Sequence, residues 1–107
     1  MTYDLETYNC SHFVAEYYAA RGLQMPAGAP SAWGYRFIRW MRQHFHAIAE
    51  PAQDCLVLVK YRGHGSFHVG VYDDGMMVHN HRIGQVIRTP LPLMRRGADL
   101  TYWALNG

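Results

Sequence analysis

Two residue types with hydrolytic chemistry stand far apart in this chain: a cysteine at position 10 and a pair of histidines at positions 68 and 79. Cys10 lies in TYNCSHFVAEYYAARG, residues 7–22, directly after Asn9, a favourable N-cap, and at the start of an apolar pattern of helical spacing. The first turn of a helix presents unpaired backbone N–H groups and the positive end of the helix dipole. Both favour a thiolate over a thiol, so a cysteine there is placed to attack. A nucleophile also needs a base. The chain holds seven histidines. His44 and His46 are two apart on an expected helix and diverge, and His64 sits between glycines in an expected loop.

The pair of interest lies in FHVGVYDDGMMVHNH, residues 67–81. Asp74-Gly75 is a two-residue turn signal, because both central positions of a type I′ turn need positive φ. That turn sets Asp73 opposite Met76, Tyr72 opposite Met77, Gly70 opposite His79 and His68 opposite His81. His68, Gly70, Tyr72, Met77, His79 and His81 then share one face of the hairpin. His79 is the diagonal neighbour of His68, within reach of a long side chain, and faces a glycine that leaves room for an imidazole. Phe67, Val69, Val71, Met76 and Val78 form the opposite, apolar face.

These elements imply an α+β domain. Phe13, Val14, Tyr17 and Tyr18 define a helix over about 10–21, with Gly22 as its C-cap residue. YRFIRWMRQHF, residues 35–45, carries Phe37, Ile38, Met41 and Phe45 at helical spacing. From Pro51 onward CLVLVKY, FHVGVY, MMVHNH, GQVIRT and LTYWAL are short, branched or aromatic and separated by Gly, Asp and Pro. Four or five antiparallel strands are expected, with the N-terminal helices packed on one face of their sheet. Residues 1–107 read as a single domain without repeats.

Composition narrows the function classes. The ten Lys and Arg against eight Asp and Glu give a formal charge of +2. Without a basic stripe, nucleic acid is not expected as a partner. The longest apolar run, Cys55 to Val59, is far below the ~20 residues that span a bilayer, so no membrane insertion is expected. Met1 to Thr7 carries Asp4 and Glu6 where an export signal needs positive charge followed by an apolar stretch. Cys55 lies in a run of strand type and reads as a core thiol rather than the partner of Cys10 in a disulfide. Trp33, Tyr35, Phe37 and Trp40 read as core or groove wall, and Arg36, Arg39 and Arg42 as a solvated helix face.

The two blocks resemble the NlpC-type cell-wall cysteine peptidases. YNCSHFVAEYYAARG is similar to their nucleophile helix. PAQDCLVLVKYRGHGSFHVGVYDDGMMVHN is similar to the segment that follows, in which a His-Val-Gly-Ile-Tyr strand and a short turn lead to a second histidine. The resemblance covers roughly residues 3–104 and is greatest to the compact versions carried by phage tails and gene transfer agents. It implies a papain-like fold and a thiol endopeptidase cutting peptide stems of peptidoglycan, commonly between D-glutamate and a diamino acid. It assigns Cys10 as nucleophile, His68 as base and His79 as the residue that orients His68. The Cys10 N–H becomes an oxyanion donor, with Tyr3 and His81 as further substrate or oxyanion contacts. It requires neither metal nor cofactor. Its further implications are a place in the virion tail and other tail-tip proteins as partners. The chain departs from the family pattern at His12, where relatives carry a small glycine, and at Asn9, where they carry an acid. Other readings of the same residues are a zinc site of Cys10, His68, His79 and His81, a catalytically silent tail module, and an intracellular thiol amidase or acyltransferase.

Overall fold

The computed structural model describes residues 10–23, 35–63, 67–80 and 86–106, and within its helices the side chains of residues 10–12 and 35 fall outside that description. The element order is α1 (Cys10–Ala20), α2 (Tyr35–His44), β1 (Phe45–Ile48), β2 (Leu56–Tyr61), β3 (Phe67–Asp73), β4 (Met76–Asn80), β5 (Val86–Pro90), α3 (Leu91–Met94) and β6 (Ala98–Leu105). The strands form one antiparallel sheet in the order β1-β6-β2-β3-β4-β5. The α+β class holds, and the strand count rises to six.

The additional strand is β1. Phe45 continues the helical spacing of Met41, yet α2 stops at His44 and residues 45–48 pair with β6, Phe45 facing Leu105 and Ile48 facing Tyr102. Phe45 is 2 % exposed and packs its ring against Trp40 and Tyr18. An apolar residue at this position fits either element, and a partner strand 53 to 60 residues away decides. His46 consequently belongs to a strand, where its Nδ1 lies 2.8 Å from Asn106 Oδ1. A second short element, α3, follows Pro90 in a stretch expected to be strand and loop.

The C-terminal end of α1 is local in origin. Gly22 has φ 71°, its N–H bonds Ala19 O at 3.1 Å, and the Leu23 N–H bonds Tyr18 O at 2.9 Å. This pair of bonds is a Schellman closure, which satisfies terminal carbonyls and favours glycine at the left-handed position. The hairpin turn also follows its sequence signal. Asp74 and Gly75 have φ 50° and 84°, and Asp73, Tyr72 and Val71 face Met76, Met77 and Val78.

Two cores lie on the two faces of the sheet. On one, Phe13, Val14 and Tyr18 of α1 and Phe37, Trp40 and Met41 of α2 pack on Leu56, Leu58, Val69, Val71 and Val78. On the other, Val57, Val59, Met77 and Tyr102 enclose Cys55 and meet Leu91 of α3. Burial of such side chains contributes about 1.5–3 kcal/mol each. Cys55 is a free thiol, and its burial raises its pKa, as befits a small core hydrophobe.

Candidate functional site

His68 is the second residue of β3 and His79 the fourth of β4. Alternation along β3 turns Phe67, Val69 and Val71 toward the helices and His68, Gly70 and Tyr72 toward the face that carries α3. The β3–β4 register, continued by one pair beyond Val71 and Val78, sets Gly70 opposite His79. A Cβ on Gly70 would lie 2.6 Å from Val78 O, 2.7 Å from Met77 Cε and 2.9 Å from His79 Cβ. Only glycine at position 70 therefore lets the His79 side chain lie flat across the hairpin toward its diagonal neighbour.

The two imidazoles do meet. His68 Nε2 lies 2.8 Å from His79 Nδ1, with ring centroids 4.9 Å apart and planes at 74°. The chain of polar contacts extends one strand further, where His79 Nε2 lies 3.0 Å from Thr89 Oγ1. His79 is 4 % exposed and His68 half-buried, so the inner ring is enclosed while the outer one borders solvent.

Hydrogen-bond accounting restricts what this chain can do. If Thr89 accepts from His79 Nε2–H, then His79 Nδ1 carries a lone pair and accepts from His68 Nε2–H. His68 Nδ1 is then a lone pair able to take a proton. In the reverse direction Thr89 donates, His68 is protonated on Nδ1, and its basic nitrogen is consumed inside the chain. Only the first arrangement makes His68 a general base. The 2.8 Å contact also bears on the zinc reading. Two nitrogens at ~2.05 Å from one tetrahedral zinc stand about 3.3 Å apart, so this pair of atoms is hydrogen-bonded rather than jointly ligating. Among the described residues no group of three His, Cys, Asp or Glu could hold a metal ion.

Cys10 is the first residue of α1. Its side chain, with Tyr3 and His81, lies outside the described residues. Arg21, just past the C-terminal end of α1, pairs with Asp73 at 3.3 Å, while α1 packs along β3 and β4. From residue 21 back to 10 a helix rises about 16 Å, and from residue 73 back to 68 a strand rises about 17 Å. Helix and strand segment are thus of matching length, with α1 packed on β3 and β4. α1 and the two imidazoles belong to opposite faces of the sheet.

One site residue escaped sequence reasoning. Thr89 joins the chain through the β4–β5 register, in which Met77 faces Thr89 and His79 faces Ile87. No turn signal in residues 81–85 specifies that register in advance.

The comparisons with known proteins now bear on this arrangement. The NlpC/P60 family model matches residues 2–103. The chain belongs to the NlpC/P60 family. The match takes in α1, the β3–β4 hairpin and most of β6, so it covers every element that carries the geometry above. NlpC/P60 proteins are cell-wall peptidases acting on peptidoglycan peptides, and the six-stranded antiparallel sheet with its few helices is compatible with the NlpC/P60 fold. Searches of curated proteins and of solved structures returned no match.

Proposed function

We propose that this protein is a thiol endopeptidase that hydrolyses the peptide stems of peptidoglycan with Cys10 as nucleophile, His68 as base and His79 as orienting residue. The observation that carries the reading is the 2.8 Å contact between His68 Nε2 and His79 Nδ1, prolonged to Thr89 at 3.0 Å. With Nε2 engaged by His79, the thiol addresses the other ring nitrogen, Nδ1. His68 takes the thiol proton there, and the imidazolium that forms is stabilised by donating to His79, itself held in its Nε2–H tautomer by Thr89. The thiolate adds to the stem carbonyl. His68 returns the proton to the leaving amine, and water releases the acyl enzyme by the same route. The Cys10 N–H at the start of α1 stabilises the oxyanion, a donor of the kind worth about 3 kcal/mol. Tyr3 and His81 contact the substrate or the oxyanion in this scheme.

The mechanism requires the Cys10 Sγ within hydrogen-bond reach of His68 Nδ1, which brings the first turn of α1 around the N-terminal end of β3. The bond cut is the one between D-glutamate and the diamino acid. The setting is a phage tail, where the domain opens the wall locally beside other tail-tip proteins. The residues supporting this setting are those of the resemblance to compact tail peptidases.

Cys10→Ala should abolish release of soluble fragments from purified sacculi while leaving the circular-dichroism spectrum unchanged. Mass spectrometry of the wild-type digest should show new D-glutamyl and diamino-acid termini. Unchanged release by the variant would remove Cys10 from the mechanism, and termini elsewhere in the stem would reassign the bond.

A further inference from the structure

The face of α2 turned away from the core is cationic and is used by nothing in the mechanism. Phe37, Trp40 and Met41 are buried, whereas Arg36, Arg39, Arg42 and Gln43 are exposed. Among the described residues none of these three guanidinium groups pairs with a carboxylate, although Arg21, Arg62 and Arg88 all do. The imbalance extends along the chain, since residues 17–49 contain Arg21, Arg36, Arg39 and Arg42 but no Asp or Glu. Ile38, Arg39, Arg42 and Gln43 line a cavity of about 370 Å³. Arg36 to Arg42 spans about 9 Å along the helix. The row begins at the working end of the sheet, because the Phe37 ring stacks on Phe67 at 6.1 Å and 27°, and Phe67 is the neighbour of His68.

We infer that Arg36, Arg39 and Arg42 form a carboxylate-binding row that holds peptidoglycan stem peptides beyond the scissile bond, with Arg39 and Arg42 at its cavity. The occupant follows from charge complementarity. The substrate proposed above contributes free carboxylates, guanidinium groups bind carboxylates through two parallel hydrogen bonds, and the apolar wall from Ile38 suits an alkyl side chain. A single-stranded nucleic acid fits less well, because Phe37 and Trp40 lie beneath the helix and offer no face on which bases could stack. The inference rests on the peptidase reading for its substrate, but its binding step needs no catalysis.

The test uses the full chain carrying Cys10→Ala, so that the wall stays intact, and sacculi stripped of phosphate polymers by acid. Adding Arg39→Gln and Arg42→Gln should weaken co-sedimentation about tenfold at low salt, as should amidation of the wall carboxylates with a carbodiimide. In the catalytically intact chain the same two arginine changes should raise KM for sacculi and for a short stem peptide while leaving kcat on each within about twofold. Undiminished binding by the arginine variant, or binding that is insensitive to amidation, would overturn the inference. So would binding that depends on the phosphate polymers. If the intact chain cuts neither substrate, the peptidase reading fails while the co-sedimentation result still decides the arginine row.

Discussion

The two ends of the β3–β4 hairpin are built on opposite plans. At the turn, Asp73 gathers Gln53 at 2.6 Å, Arg88 at 2.8 Å and Arg21 at 3.3 Å, and Gln53 Oε1 accepts the Asp74 N–H at 3.1 Å. Strand, helix end and edge strand are tied there through one carboxylate, whose pKa is lowered first by the Gln53 hydrogen bond and then by Arg88. Nearby, the Tyr18 hydroxyl donates to Asp54 O at 2.5 Å. At the far end, about 17 Å along the strand, His68, His79 and Thr89 form a single polar file. One end anchors the helix to the hairpin through charge, and the other links two imidazoles and a hydroxyl across three strands.

The largest expected effect comes from cutting the file in the middle. His79→Ala should lower kcat on sacculi by about a hundredfold with little change in KM. The loss should exceed that of His81→Ala, and the reverse order would mean that His81 orients His68. Thr89→Val should cost roughly tenfold, with Thr89→Ser restoring most of it. Equal losses for the two Thr89 variants would reduce that residue to packing.

Gly70→Ala tests whether the file depends on backbone proximity. The added methyl meets Val78 O, which cannot rotate away, so unfolding free energy should fall by about 1–3 kcal/mol and the melting temperature by several degrees. A variant as stable as the wild type would show that the hairpin can widen at no cost.

The smallest effect belongs to the anchoring end. Because the Asp73 pKa is lowered on folding, its contribution is present above the unfolded value of about 3.9 and is lost as pH falls through the folded value. Asp73→Asn should therefore be less stable than the wild type near neutrality, with the two denaturation curves converging in acid once the folded-state carboxylate is protonated. A gap that persists in acid would assign the difference to shape rather than charge.

Features governed by neighbours in the chain were legible in the sequence. Gly22 closed α1, Asp74-Gly75 set the register that made His79 the diagonal partner of His68, and the branched run around Cys55 read as core. Features governed by distant pairing were not. Phe45 fits a helix until β6 is in place. Thr89 has no visible partner until β4 and β5 are aligned, and α3 is a four-residue element whose Leu91 is drawn into the second core. Asn80 likewise interrupts an apolar alternation that Met76 and Val78 lead one to extend.

That last residue has a consequence for motion. Asn80 is fully buried at the end of β4, and among the described residues neither polar atom of its carboxamide has a hydrogen-bond partner. Each such group costs about 1–3 kcal/mol to enclose, a penalty that vanishes as soon as the strand end parts and water enters. Closed and parted forms are thereby brought nearer in energy at this end of β4. Amide exchange should run ahead there of exchange at the Asp73 end of the hairpin.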